Sequence, residues 1–104
     1  MTPKDLREHA LSLPDAREAP HFARTSFRVR GRIFATMTAD GTEAMVRVAP
    51  QARVRELLRA KSGAFFSHGG WTRRLGAVGV RLARVPATLM RTLVTESWRR
   101  ASTR

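Results

Sequence analysis

In residues 27–37, FRVRGRIFATM, Phe27 to Arg30 alternate apolar and basic side chains, Gly31 breaks the run and Arg32 begins another. No other stretch constrains the fold as much. A period of two sends successive side chains to opposite faces of a strand, so Phe27 and Val29 face one way and Arg28 and Arg30 the other. Gly31 makes the run a hairpin rather than one long strand. Two registers fit. A three-residue Arg30-Gly31-Arg32 loop sets Val29 opposite Ile33 and gathers Phe27, Val29, Ile33, Ala35 and Met37 on the buried face. A two-residue Arg30-Gly31 turn puts Phe34 inward and leaves Ile33 among the arginines. The first sorts apolar from polar more cleanly and is the one expected.

The flanking segments complete an order of elements. Asp40-Gly41 is a turn signal, and Glu43 to Val48 alternates again with Ala44, Val46 and Val48 inward, so a three-strand meander is expected. Before it, Thr2 suits an N-cap, Pro3 the first helical position and Asp5 a capping box. Leu6, Ala10, Leu11 and Leu13 form the stripe of that helix, Pro14-Asp15 ends it, and residues 15–20 read as a polar connector. Pro50 to Lys61 returns to helical period around Val54, Leu57 and Leu58. In the irregular stretch 64–77, Phe65-Phe66 reads as a short strand and Gly69-Gly70 as a turn. Val78 to Val85 is a strand with Arg81 outward. Pro86 opens a last helix to about Ala101, burying Leu89, Met90, Leu93, Val94 and Trp98, with Glu96 and Arg100 paired one turn apart. The order is α-β-β-β-α-β-β-α. It predicts one α+β domain over residues 1–104, an antiparallel sheet with helices packed against it. A chain of 104 residues is long enough for one core without staples.

Chemistry-bearing residues are sparse. There is no cysteine, hence no disulfide, thiolate nucleophile or thiolate metal site. His9, His21 and His68 are far apart, without second ligands at metal-binding spacing. No nucleophile elbow, P-loop or dinucleotide fingerprint occurs. The chain is therefore expected not to be an enzyme and to need no cofactor or metal. No apolar run approaches the roughly 20 residues of a membrane span, and the N-terminal segment has no signal-peptide core. A cytoplasmic monomer without membrane contact is expected, since no element carries an unclaimed apolar stripe.

Charge is the informative quantity. The formal net charge is +12, from 20 basic and 8 acidic residues. Residues 1–56 hold ten basic and seven acidic residues, whereas 57–104 hold ten basic and one acidic, Glu96. Eighteen of the basic residues are arginine; codon bias gives that ratio too, so the argument rests on the excess charge. Such asymmetry points to DNA or another polyanion. The candidate contacts are Arg28, Arg30 and Arg32 at the hairpin, Arg73 and Arg74 in the irregular loop, and Arg81 on the late strand. Trp71 is a candidate for stacking on a base, against the alternative of core or rim packing. A solvated outer sheet face explains the hairpin arginines equally well.

Leu11-Ser12-Leu13-Pro14, then Pro20-His21-Phe22, SFRVRGRIFATM at 26–37, Asp40-Gly41, Val46-Arg47-Val48 before Pro50, and ESWRRA at 96–101 together resemble the MmcQ/YjbR family. The most specific part is Phe-x-Val-x-Gly-x-Ile-Phe-Ala at 27–35. One departure is that family members often carry Gly-Trp at the start of the penultimate strand, where this chain has Gly76-Ala77 and Trp71 earlier. The resemblance implies a secretion-chaperone-like α+β fold. Members are described as DNA-binding from a double-wing shape, two hairpins flanking a concave sheet. It would put 27–36 in one wing and 71–84 in the other. The same fold type occurs in proteins that hold peptides of partners, so a protein-interaction or chaperone-like module is the alternative. An apolar groove beside Phe34, Phe65 or Trp71 would point to it.

Overall fold

The tighter turn is the one that forms. In the computed structural model, which describes residues 1–48, 50–59, 63–67 and 76–103, Val29 pairs with Arg32 across the hairpin of β2 (Arg24–Val29) and β3 (Arg32–Thr38). Arg30 and Gly31 both take positive φ, 53° and 78°, the pair of conformations that matches the twist of flanking strands. The register then slips: Phe27 lies opposite Ala35 but Arg28 lies opposite Ile33. Phe34 is thus the extra residue of a β-bulge. This corrects the expected three-residue loop, and the reason is packing. The bulge accommodates the consecutive apolar pair Phe34-Ala35, both buried, while Ile33 stays half-buried beside Arg28.

A second correction concerns residues 15–20. Arg17–His21 is a strand, β1, antiparallel to β2 from Arg17 opposite Arg28 to His21 opposite Arg24. It is an edge strand, where Pro20 is tolerated. After β4 (Glu43–Arg47) come α2 (Gln51–Arg59), β5 (Phe65–Phe66), β6 (Ala77–Arg81) and α3 (Ala87–Ser102). The six strands form one antiparallel sheet in the order β1-β2-β3-β4-β6-β5. With α1 (Pro3–Ser12) leading, the chain runs α-β-β-β-β-α-β-β-α, one strand more than the sequence predicts.

The start of α1 follows the sequence. Thr2 Oγ1 accepts from the Asp5 amide at 3.1 Å and Asp5 accepts from the Thr2 amide at 3.4 Å, a complete capping box. Leu6 and Ala10 are buried, but Leu11 stays exposed. On the sheet, Phe27, Ala35, Val46 and Val78 align in register on one face and join Val54 and Leu57 of α2 and Met90, Leu93 and Val94 of α3 in one buried cluster. The helices share that face. His9 Nε2 lies 3.0 Å from Thr95 Oγ1, Trp98 Nε1 donates to Pro14 O at 3.0 Å, and Arg53 pairs with Glu96 at 3.3 Å. Glu96 is therefore engaged by α2 rather than by Arg100.

One polar side chain sits inside this packing. Ser97 is buried, donates to Phe34 O at 2.6 Å and accepts from the Arg47 amide at 3.0 Å. Continuing the β3–β4 register would set Phe34 opposite Arg47, but described pairing ends at Ala35 and Val46. The hydroxyl stands where the ladder would have continued, and the two strands part beyond it.

Ser97→Ala removes the partner of the buried Phe34 carbonyl; the expected loss is about 1–3 kcal/mol, read from urea unfolding, and a loss under about 0.5 kcal/mol would contradict the bridging role. A second expectation concerns the β3–β4 turn. Hydrogen bonds from Thr38 Oγ1, then from the Thr42 amide and hydroxyl, hold the Asp40 carboxyl at about 2, below its ordinary 3.8. A depressed folded value stabilises above the unfolded pKa and is lost as pH falls through the folded one. Asp40→Asn should flatten acid destabilisation between about pH 4 and pH 2, and an acid-unfolding curve of unchanged shape would exclude this role.

Candidate nucleic-acid interface

The strand register decides where the predicted arginines go. Residues directly opposite one another share a face. Arg28 therefore lies with Ile33 and Arg17 on the helix-free side, while Arg32 lies with the buried Val29 on the helix side. Arg30 projects from the turn between them and is exposed. The three arginines wrap around the hairpin tip rather than forming a single row. None of them is in an ion pair among the described residues. Arg28 Nε donates to Ser26 Oγ at 2.9 Å, and Arg32 Nη1 donates to the carbonyl of Thr103 at 3.0 Å. Bonds to neutral oxygens orient these side chains without cancelling their charge.

Arg32 has company. With Arg47 of β4 and Arg100 of α3 it lines a cleft of about 260 Å³ floored by Ser97. Arg99 and Arg100 line the adjoining surface at the end of α3. Sequence reasoning did not single out Arg47, Arg99 or Arg100, since nothing local brings β4, the hairpin and α3 together. Arg17 escaped because its strand read as a connector.

Arg81 is engaged within the fold. Its Nη1 donates to Gly63 O at 3.0 Å, and its guanidinium carbon sits 4.6 Å from the centre of the Phe66 ring, a cation–π distance. The ring lies so close over Gly79 that a Cβ there would come within 2.5 Å of it. Arg81 thus ties the loop after α2 to the sheet edge. Trp71, Arg73 and Arg74 lie outside the described residues.

Four of the eight acidic side chains pair with basic residues of the helices. Glu8 pairs with Lys4, Glu18 with Arg7, and Glu56 and Glu96 both with Arg53. Across β1 and β2, by contrast, Arg17 directly faces Arg28, and like charges in that position are destabilising. An arrangement that opposes folding and gathers positive charge favours an anionic contact.

The helix-free side also holds an apolar cavity of about 590 Å³, with Ile33, Met45 and Ala77 in its wall and His21, Phe22 and Arg24 among the residues at its β1–β2 side. Phe22 is 95% exposed, with φ 56°, in the turn between β1 and β2.

A family model described as YjbR matches residues 11–100 of the chain. The chain belongs to the YjbR family. The resemblance carried by the 27–35 core and its flanks is thereby established. The fold of this YjbR domain is similar to the crystal structure of Deinococcus radiodurans protein DR2400, which carries a DUF419 domain. The two share 27% identity at a TM-score of 0.77, over 93% of this chain and 75% of that one. No curated protein matches it. No helix among the described residues is long and apolar enough to cross a membrane.

Replacing Arg17 by Glu converts the opposed pair into an attractive one. Arg17→Glu should raise stability by about 0.2–1 kcal/mol at low salt, measured by urea unfolding, with the gain shrinking in high salt; a stability unchanged at both salts would show that the two arginines do not interact.

Proposed function

We propose that this YjbR domain is a cytoplasmic, non-enzymatic monomer that binds double-stranded nucleic acid through its phosphates, with the β2–β3 hairpin as one wing. The observation that carries the reading is the placement of Arg28, Arg30 and Arg32 on one side, at the tip and on the other side of one hairpin, with no carboxylate ion pair among the described residues. A two-stranded ribbon fits a major groove. A ribbon with guanidinium groups around its tip meets phosphate on both sides as it enters. Arg99 and Arg100 extend the positive surface beside Arg32, and Arg17 extends it beside Arg28. Arg73 and Arg74 belong to the proposed second wing on sequence grounds, whereas Arg81 serves the fold. Contacts of this kind position a protein on a duplex without reading its sequence.

The alternative, a protein-interaction module, is favoured by one observation, the exposed Phe22 ring beside an apolar cavity that includes Phe34. The hairpin reading accounts for more of the surface, because the net charge of +12 has no counterpart in an apolar groove.

Binding to a random-sequence duplex, followed by fluorescence anisotropy at several salt concentrations, should show a log–log slope near −0.9 for each phosphate neutralised. The triple change Arg28→Ala, Arg30→Ala and Arg32→Ala should flatten that slope by about 2–3 units, with little sequence preference in either protein. No binding at low salt, or a slope that the triple variant leaves intact, would overturn the assignment.

A further inference from the structure

Arginines from three separate elements meet at the cleft beside the hairpin. Arg32 of β3, Arg47 of β4 and Arg100 of α3 make up half of its lining, with Ile33, Ser97 and Ala101 as the remainder. All three arginines are exposed, and no carboxylate is among the lining residues. The acid that helical spacing would offer to Arg100 is Glu96, and Arg53 holds it at 3.3 Å. Arg32 and Arg100 are in no ion pair among the described residues. Like charges gathered without a counter-charge repel one another and oppose folding. An anion in the cleft relieves that repulsion.

The cleft is built before any ligand arrives. Ser97 binds Phe34 O at 2.6 Å and the Arg47 amide at 3.0 Å, which fixes α3 against both of the parted strands. Arg32 Nη1 donates to Thr103 O at 3.0 Å, which directs this guanidinium to the end of α3 that carries Arg100. Groups already in place lose little freedom on binding. The Ser97 hydroxyl is committed to backbone, so the arginines are what remains to hold a ligand. The volume of about 260 Å³ exceeds the roughly 10–15 Å³ that one water needs. It falls below the roughly 300 Å³ at which small-molecule sites begin. Such a space takes a head group rather than a whole metabolite.

We propose that this cleft binds the dianionic phosphate of a phosphate monoester, with the ester body lying outside. A monoester carries close to two negative charges at neutral pH and three strong acceptor oxygens. That matches three guanidinium groups, whose planar forks suit phosphate. A backbone phosphodiester carries a single charge and would leave the cluster under-neutralised. The inference goes beyond the duplex reading. The cleft shares Arg32 with the hairpin and Arg100 with the surface beside it, but a duplex without terminal phosphates offers only diesters. The monoester can belong to a free nucleotide or to the phosphorylated end of a strand; the recognised group is the same.

Isothermal titration calorimetry on the full chain at low salt tests it. The ligand pairs are methyl phosphate against dimethyl phosphate, AMP against adenosine, and a 5′-phosphorylated thymidine oligonucleotide against its 5′-hydroxyl form. Methyl phosphate should bind with a stoichiometry of one and at least about tenfold more tightly than dimethyl phosphate. AMP should bind and adenosine should not. A phosphorylated strand that binds more tightly than AMP identifies a strand end as the source, and the reverse order a free nucleotide. Affinity should fall as pH drops through the second phosphate pKa of about 6, since arginine keeps its charge throughout. Arg47→Gln and Arg100→Gln should each weaken methyl phosphate about tenfold, and Arg100→Gln should leave the ligand-free protein at least as stable. Arg55→Gln, which removes the same charge from an exposed position on α2, should leave the affinity unchanged. No saturable binding of methyl phosphate, equal binding of monoester and diester, or an affinity indifferent to pH would overturn the proposal. So would an Arg55→Gln effect as large as those of the cleft variants. Binding of a 5′-hydroxyl duplex that persists in any of these cases would leave the hairpin reading standing.

Discussion

The sheet of this protein depends on a hydroxyl group from a helix. Ser97 of α3 takes the carbonyl of Phe34 and the amide of Arg47, the two groups that would begin the next step of the β3–β4 ladder. A buried backbone group without a partner is costly, so strands can part inside a core only where something else completes their hydrogen bonds. Here the bulge at Phe34 and the serine are complementary. The bulge shifts the hairpin out of step with β4, and the serine makes that shift tolerable. The parting places Ile33 and Arg47 where they line both the cavity on one side of the sheet and the cleft on the other. The cleft and the cavity therefore meet at one local break in pairing.

Charge is unevenly spread over the two sides of the sheet. On the helix side, carboxylates meet lysine or arginine at the surface, contacts of small individual value. On the opposite side, β1 and β2 set arginine against arginine. Repulsion there is a standing loss that folding overcomes with the apolar cluster between sheet and helices. The guanidinium groups are also not equivalent. Arg81 is held by a carbonyl and a ring, Arg24 is half-buried with its Nη1 sealed from solvent, and Arg28, Arg30 and Arg32 surround a turn. Counting charges would have merged these roles.

Much of this organisation was legible in the residues. The capping box at Thr2 and Asp5, the meander from 24 to 47, and the buried side of α3 all follow from periodicity and capping chemistry. So does Gly31 as the centre of a turn. What was not legible depended on contacts between distant segments. The choice between turn registers rested on whether Phe34 could be buried, and that required the bulge and Ser97. Strand β1 was hidden because Arg17, Glu18 and Pro20 have poor strand propensity and pair only because β2 offers an edge. Glu96 and Arg100 had ideal helical spacing, yet Arg53 of another helix captured the carboxylate. The candidate interface was legible by its charge at Arg28, Arg30 and Arg32, but the division of those residues between two faces was not, because one shifted residue in a strand exchanges its sides. Arg47, Arg99 and Arg100 come beside the hairpin only through contacts between distant segments, which no local pattern announces.

The composition of β1 has a consequence for how copies of the molecule behave together. An exposed strand edge is a template for pairing with another chain and a common origin of aggregation. One edge of this sheet is a five-residue strand containing Pro20, which has no amide to donate, and Arg17, which repels its equivalent on another molecule. The other edge, among the described residues, is the two-residue β5. Neither offers a long uninterrupted row of free backbone groups. The features that make β1 a poor strand in sequence thus also make it a poor template for a second chain.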